Sequence, residues 1–154
     1  MTSTSMAPVR PRRLAFADLI SVLTSEHAEI RWKLTELKGS TETKDFTHAA
    51  AILKDLDQLF RQHIADEEAQ VLPILIEAYG VKGAEQAIVV FRQHRPIYLL
   101  IQEVGRLASL PPEGLATNET KLGALLIKHT QAEETHIFPN ALSTYYAKSR
   151  GASL

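Results

Sequence analysis

Apolar residues recur along this chain in steps of three and four, the spacing of one face of an α-helix. The first stripe runs from Phe16 through Leu19, Leu23, Ile30, Leu34 and Leu37, with His27 set inside it. It predicts a helix that ends at Gly39. A second helix, capped by Asp45, carries Ala49, Ile52, Leu56, Leu59, His63, Glu67, Val71 and Ile74 and ends near Tyr79 and Gly80. A third begins near Ala84 and carries Ala87, Val90, Phe91, His94, Ile97, Tyr98, Ile101 and Val104. The breaker-rich segment from Leu110 to Asn118 follows, and Asn118 is placed to cap a fourth helix carrying Leu122, Leu125, Leu126, His129, Glu133, His136 and Leu142. No strand-like alternation competes, and short connections favour antiparallel neighbours. The expectation is an all-α, up-down-up-down four-helix bundle over residues 14–147, with a disordered N-terminal tail at 1–13 and a C-terminal tail at 148–154.

The two halves of the chain match each other. HIADEEAQVLPIL, from His63, aligns with HTQAEETHIFPNA, from His129, at an offset of 66 residues, sharing the His, both glutamates and the Pro. EHAEIRWKLTEL, from Glu26, aligns with QHRPIYLLIQEV, from Gln93, at an offset of 67, with His27 on His94 and Ile30 on Ile97. Two pseudo-symmetric helical hairpins are therefore predicted. Each supplies one His from its first helix and a His plus a Glu from its second.

Composition narrows the chemistry. The chain has 154 residues, 45% hydrophobic and 23% charged, enough for one domain with a sizeable core. A formal net charge of -1 gives no basic footprint for nucleic acid. Arg10, Arg12 and Arg13 are read as a solvated tail, too few charges for a nucleic-acid or membrane patch. Cysteine is absent, which excludes disulfides, zinc-thiolate sites, iron-sulfur clusters and thiol catalysis. No apolar run approaches the roughly 20 residues that cross a bilayer, and the polar, Arg-rich start lacks a signal-peptide core, so a cytoplasmic location is expected.

Any metal must then be held by His, Asp or Glu. Residues four apart on an α-helix differ by about 40° around the axis, so His63 with Glu67, and His129 with Glu133, project from one face. Two hairpins facing each other converge four imidazoles and two carboxylates at mid-bundle. The repeat suggests two ions with two histidines each. Shared carboxylates would bridge them at roughly 3.5 to 4 Å, with room for an oxide or hydroxide bridge. Iron or manganese suits the mixed donor set, and zinc is a possible substitute. Without metal, six such buried groups would cost stability or force protonation.

His27, the pairs His63 to Glu67 and His129 to Glu133, and His94 between them resemble the ligand set of the hemerythrin-like, or HHE cation-binding, family. HIADEEAQVLPIL and HTQAEETHIFPNA are similar to that family's HxxxEE signature followed by Pro. The resemblance covers about residues 16 to 147. It implies a non-haem di-iron centre, oxo- or hydroxo-bridged, with Glu67 and Glu133 as bridges and dioxygen, peroxide or nitric oxide as the small ligand. The expected function is binding or sensing of such an oxidant. The alternatives are an enzyme that decomposes hydrogen peroxide or reduces nitric oxide, and an iron-buffering protein. A monomer or weak homo-oligomer is expected, and the protein partner, through which a sensor could pass its signal, is left open.

One departure stands out. Oxygen-carrying members have a fifth His four residues after the third-helix ligand, where this chain has Tyr98. That residue is open to three roles: phenolate ligand, hydrogen-bond or proton donor beside the metals, or packing. Pro96 should remove a helix hydrogen bond to Arg92 and kink the third helix. Glu134 rivals Glu133 as ligand, since it lies five residues after His129, although the repeat favours Glu133. Glu68 and Glu134 lie about 100° round from the proposed ligands and are otherwise read as solvated acids. His136, seven residues after His129, is read as a core residue or a partner of the ligands. His48 is read as exposed or packed, and Trp32 as packing rather than a redox relay. Ferritin-like Glu-x-x-His pairs, zincin HExxH, phosphate-binding Gly loops and a Ser/His/Asp nucleophile are not found.

Overall fold

The computed structural model describes residues 9–109 and 114–152. Helix α1 spans Phe16–Glu42, α2 spans Phe46–Asp66, α3 Leu72–Gly83, α4 Glu85–Arg92, α5 His94–Ala108, α6 Leu115–Ala132 and α7 Phe138–Ala152. Five-residue wide turns at Glu67–Val71 and Glu133–Ile137 join α2 to α3 and α6 to α7, so these pieces make four long helical rods. Among the described residues there is no strand, and no helix is long and apolar enough to cross a membrane. Around one end of the bundle α1 packs on α2, α2 on α5, α5 on α6 and α6 on α1; α3, α4 and α7 close the other end.

The ends of the rods follow local chemistry. Asp45 caps α2, its carboxylate accepting from the His48 N–H at 3.1 Å. Helix α1 runs three residues past Gly39. It stops where Lys44 takes a left-handed conformation (φ 60°) and the Asp45 N–H donates back to the Ser40 carbonyl at 2.8 Å. The fourth rod also starts differently from expectation. Gly114 (φ 80°) precedes Leu115, and Asn118 lies inside the first turn, its side-chain amide donating to the Gly114 carbonyl at 2.8 Å. Residues 110–113 of the expected breaker segment lie outside the described residues. The third rod breaks at Gln93, three residues before Pro96, because a proline at that position cannot donate to the Arg92 carbonyl.

Each wide turn shifts the register of the helix that continues from it. The N–H of Leu72 donates to the Glu67 carbonyl, and that of Phe138 to the Glu133 carbonyl, five residues back rather than four. Pro73 and Pro139 come directly after. In unbroken α geometry their rings would press on the carbonyls of Ala69 and Thr135, and the wider turn relieves that crowding. One extra residue per turn rotates the next segment by about 100°. Hence Leu75 is buried where Ile74 was expected, and Ala141 takes the inward place that unbroken α spacing would give Asn140; Leu142, expected in the stripe, is half-buried.

The apolar core forms two clusters. One contains Ile30, Leu37, Leu56, Phe60, Ile97, Ile101, Leu122 and Leu126. The other contains Leu19, Leu23, Val71, Leu75, Phe91, Ile137 and Phe138. In each rod the proposed ligands fall between residues of the two clusters, so a polar layer divides the core. Trp32 belongs to neither; it is 65% exposed, because it sits two residues from Ile30 and so faces away from the buried stripe. Helix α7 continues past Ala147 to Ala152, and Lys148 pairs with Glu77 at 2.6 Å.

Gly80 interrupts α3 with φ 72° and ψ 171°, a conformation essentially reserved for glycine, and no atom lies within 4 Å of a Cβ placed there. Gly80→Ala should therefore cost only the backbone strain, on the order of 1–3 kcal/mol in a denaturant titration. An unchanged midpoint would show that the chain bends elsewhere.

Candidate metal centre

His27, His63, Glu67, His94, His129 and Glu133 come together, all buried, from all four rods. They form two groups whose ligand atoms lie within 4.8 Å of one another: His27, His63, Glu67 and Glu133, and Glu67, His94, His129 and Glu133. The carboxylates belong to both. Glu67 turns Oε2 to His63 Nε2 (3.3 Å) and Oε1 to His94 Nε2 (3.0 Å). Glu133 turns Oε1 to His27 Nε2 (2.9 Å) and Oε2 to His129 Nε2 (3.3 Å).

This arrangement fits cations. His27 Nε2 and His63 Nε2 are 3.1 Å apart. Two nitrogens each about 2.1 Å from one ion and at right angles to it would be roughly 3 Å apart. Both oxygens of Glu67, Oε2 of Glu133 and the Nε2 atoms of His94 and His129 are buried without a hydrogen-bond partner. Such atoms are costly to leave unpaired, and a metal ion would satisfy them together.

The outer nitrogens are also engaged. His63 Nδ1 lies 3.0 Å from Glu26 Oε1, His94 Nδ1 2.7 Å from Glu68 Oε2, and His129 Nδ1 2.9 Å from Gln93 Oε1. His27 Nδ1 approaches Glu134 Oε2 at 3.4 Å. With the proton on Nδ1, His63, His94 and His129 donate outward and keep their Nε2 lone pairs for the centre, while His27 Nδ1 makes no hydrogen bond. Phenylalanine rings wall the imidazoles: Phe138 against His27 at 5.3 Å, Phe91 against His94 at 5.0 Å, and Phe60 near His63, His94 and His129.

Several residues stand elsewhere than the sequence suggested. Glu68 and Glu134 are partly exposed, yet their carboxylates serve His94 and His27 rather than water alone. His136 is exposed, because the wide turn at Glu133–Ile137 gives its inward place to Ile137. Tyr98 is buried, and its hydroxyl oxygen accepts from Arg61 Nη2 and Gln102 Nε2, both at 2.7 Å. Arg12 is not a solvated tail residue; it is bound to the buried acids Asp66 and Glu26. Glu26, Asp66, Gln93 and Arg12 were not anticipated. Two of them were marked, since Glu26 and Gln93 directly precede His27 and His94 in the repeat.

Without metal, the surrounding carboxylates favour the protonated form of two of the imidazoles. Burial lowers His63, but the Glu67 charge and contacts with Glu133 and Glu26 raise it well above the ordinary imidazole value. Burial likewise lowers His94, while Glu133, Glu67 and Glu68 raise it well above that value. Burial pushes Glu133 up, yet Glu67, His129, His27 and His63 together hold it well below the carboxylate range.

An all-helical bundle with a buried His/Glu centre thus defines a candidate metal-binding protein. Residues 5–75 match the hemerythrin HHE cation-binding domain, so the resemblance carried by the motifs holds over the first hairpin. The second hairpin carries the same motif at corresponding positions. No curated protein and no solved structure matches the chain.

The raised imidazoles set a pH dependence for metal-free protein. A group raised by folding stabilises below its unfolded value, and that contribution is lost as pH rises through the folded value. The lowered Glu133 already contributes fully above the carboxylate range. Chelator-stripped protein should therefore melt at a lower temperature at about pH 9 than at about pH 6 by scanning calorimetry. A rise over that interval would contradict the imidazolium-carboxylate balance.

Proposed function

We propose that this chain is a hemerythrin-like, non-haem di-iron protein that binds or senses dioxygen, or a related small oxidant such as peroxide or nitric oxide. Its site would be a carboxylate-bridged set of His27, His63, His94, His129, Glu67 and Glu133. The observation that carries the reading is the division of each carboxylate, one oxygen toward each pair of histidines. Two ions side by side would use every one of those oxygens. The mixed imidazole and carboxylate set suits iron or manganese and also admits zinc. Up-and-down connectivity with a two-fold relation between hairpins belongs to the same reading and is supported by the matched spacing. So does a cytoplasmic setting.

Bound iron would supply redox-active coordination positions for a diatomic ligand or peroxide. The protein's share is definable from its own atoms. The Nδ1 partners orient the imidazoles, the phenylalanine rings exclude water, and the wide turns place both glutamates at one level of the bundle. Tyr98 is held by Arg61 and Gln102, which supports a packing and hydrogen-bonding role over ligation.

Metal analysis with an optical spectrum tests the reading: about two irons per chain, with near-ultraviolet charge-transfer absorption, are expected after anaerobic iron loading. Zinc alone, or no metal, would overturn it. Sustained oxygen evolution on adding peroxide would replace a binder by a catalyst. Glu67→Ala or Glu133→Ala should lose at least one ion, whereas His136→Ala keeps both. Equal retention in all three would refute the bridging assignment.

A further inference from the structure

The two halves of the centre are braced differently. In the first hairpin His63 Nδ1 faces Glu26, and Glu26 is gripped by Arg12, whose Nη2 lies 3.0 Å from both carboxylate oxygens. The same arginine donates from Nε to Asp66 Oδ2 and from its backbone N–H to Asp66 Oδ1, each at 2.7 Å. Asp66 is fully buried. The segment bearing Arg12 is itself tied down, Gln62 donating to the Arg10 carbonyl (2.9 Å) and Gln70 to the Arg12 carbonyl (2.7 Å). On the other imidazole of this half, His27 Nδ1 lies 3.4 Å from Glu134, outside a hydrogen bond, and Glu134 is held by Arg31 at 3.2 Å, so the firm brace of this half is the one on His63.

The second hairpin has neither brace. Gln93 stands where the first has Glu26, and Ala132 where it has Asp66. His129 therefore rests on a neutral amide. His94 rests on Glu68, whose side chain is 49% exposed, and among the described residues no arginine or lysine is paired with it. Tyr98 occupies the position that matches Arg31 and is turned to Arg61 and Gln102 instead. A carboxylate partner strengthens an imidazole as a donor, and an arginine fork fixes that carboxylate in place.

We propose that Arg12 is a positioning residue whose clamp on Glu26 and Asp66 makes the two metal positions unequal: the ion held by His27 and His63 is retained, and the ion held by His94 and His129 exchanges. The inference rests on the two-ion reading above. It gives the non-helical segment before α1 a part in the centre, closing it on the side of His63.

The test is release of ferrous iron from anaerobically loaded protein into a coloured chelator. Wild-type protein should lose its two ions in two phases of one ion each, with rates about tenfold or more apart. Arg12→Ala should bring the slow phase close to the fast one, and Arg12→Lys should fall between, since an ammonium cannot fork two carboxylates. Arg12→Ala leaves two buried acids unpaired and can weaken folding. The combined variant Arg12→Ala, Glu26→Gln, Asp66→Ala copies the second hairpin, keeps no stranded charge, and should fold yet release both ions rapidly. A purely structural role predicts that this combined variant retains the slow phase, which would overturn the proposal, as would a single phase for two ions in wild-type protein. Fewer than two ions in loaded wild-type protein would overturn the two-ion reading itself, and this inference with it.

Discussion

Two fully buried carboxylates, Glu67 and Glu133, face four buried imidazoles in the middle of an otherwise apolar bundle. Charges removed from water must be paired, coordinated or neutralised, and this requirement governs the surrounding structure. The core is divided into two apolar clusters with the polar layer between them. The outer nitrogens of His63, His94 and His129 have hydrogen-bond partners and that of His27 has a carboxylate nearby, so the inner nitrogens are left to serve the centre. Helices carry every proposed ligand, which gives the site the precision of rigid elements rather than loops.

The wide turns are part of the same solution. Each begins at one of the two central glutamates and ends just before a proline. A continuous α-helix would bring His136 back to the face of His129 and crowd the proline ring against the preceding turn. Inserting one residue per turn places Val71 and Ile137 beneath the carboxylates and sends His136 outward. Apolar packing then resumes directly below the polar layer.

Pairing costs are met unequally in the two hairpins. The first places two acids, Glu26 and Asp66, near His63 and neutralises both with one arginine from outside the helices. The second uses an amide and an alanine at the matching positions and needs no such cation. A repeat that preserves all six central groups has therefore diverged in what stands behind them. That divergence gives the centre a more firmly braced side and a looser one.

The sequence by itself determined the helical class, the approximate rods and the six central residues. Periodicity, the doubled HxxxE pattern and the matched His27 and His94 all express local geometry, and i to i+4 spacing on a helix leaves little freedom. The cap at Asp45 and the break before Pro96 were legible for the same reason. Tertiary structure decided what depends on register and on distant pairing. The wide turns reassigned His136 and Ile74, although the paired prolines were a local sign of them. Glu68 and Glu134 look like surface acids on their own helices and acquire their roles only when a facing rod brings His94 and His27 within reach. Arg12 lies 54 residues from Asp66 along the chain, and no periodic pattern links them. Their contact exists because two buried carboxylates require a cation and the folded bundle leaves one within reach.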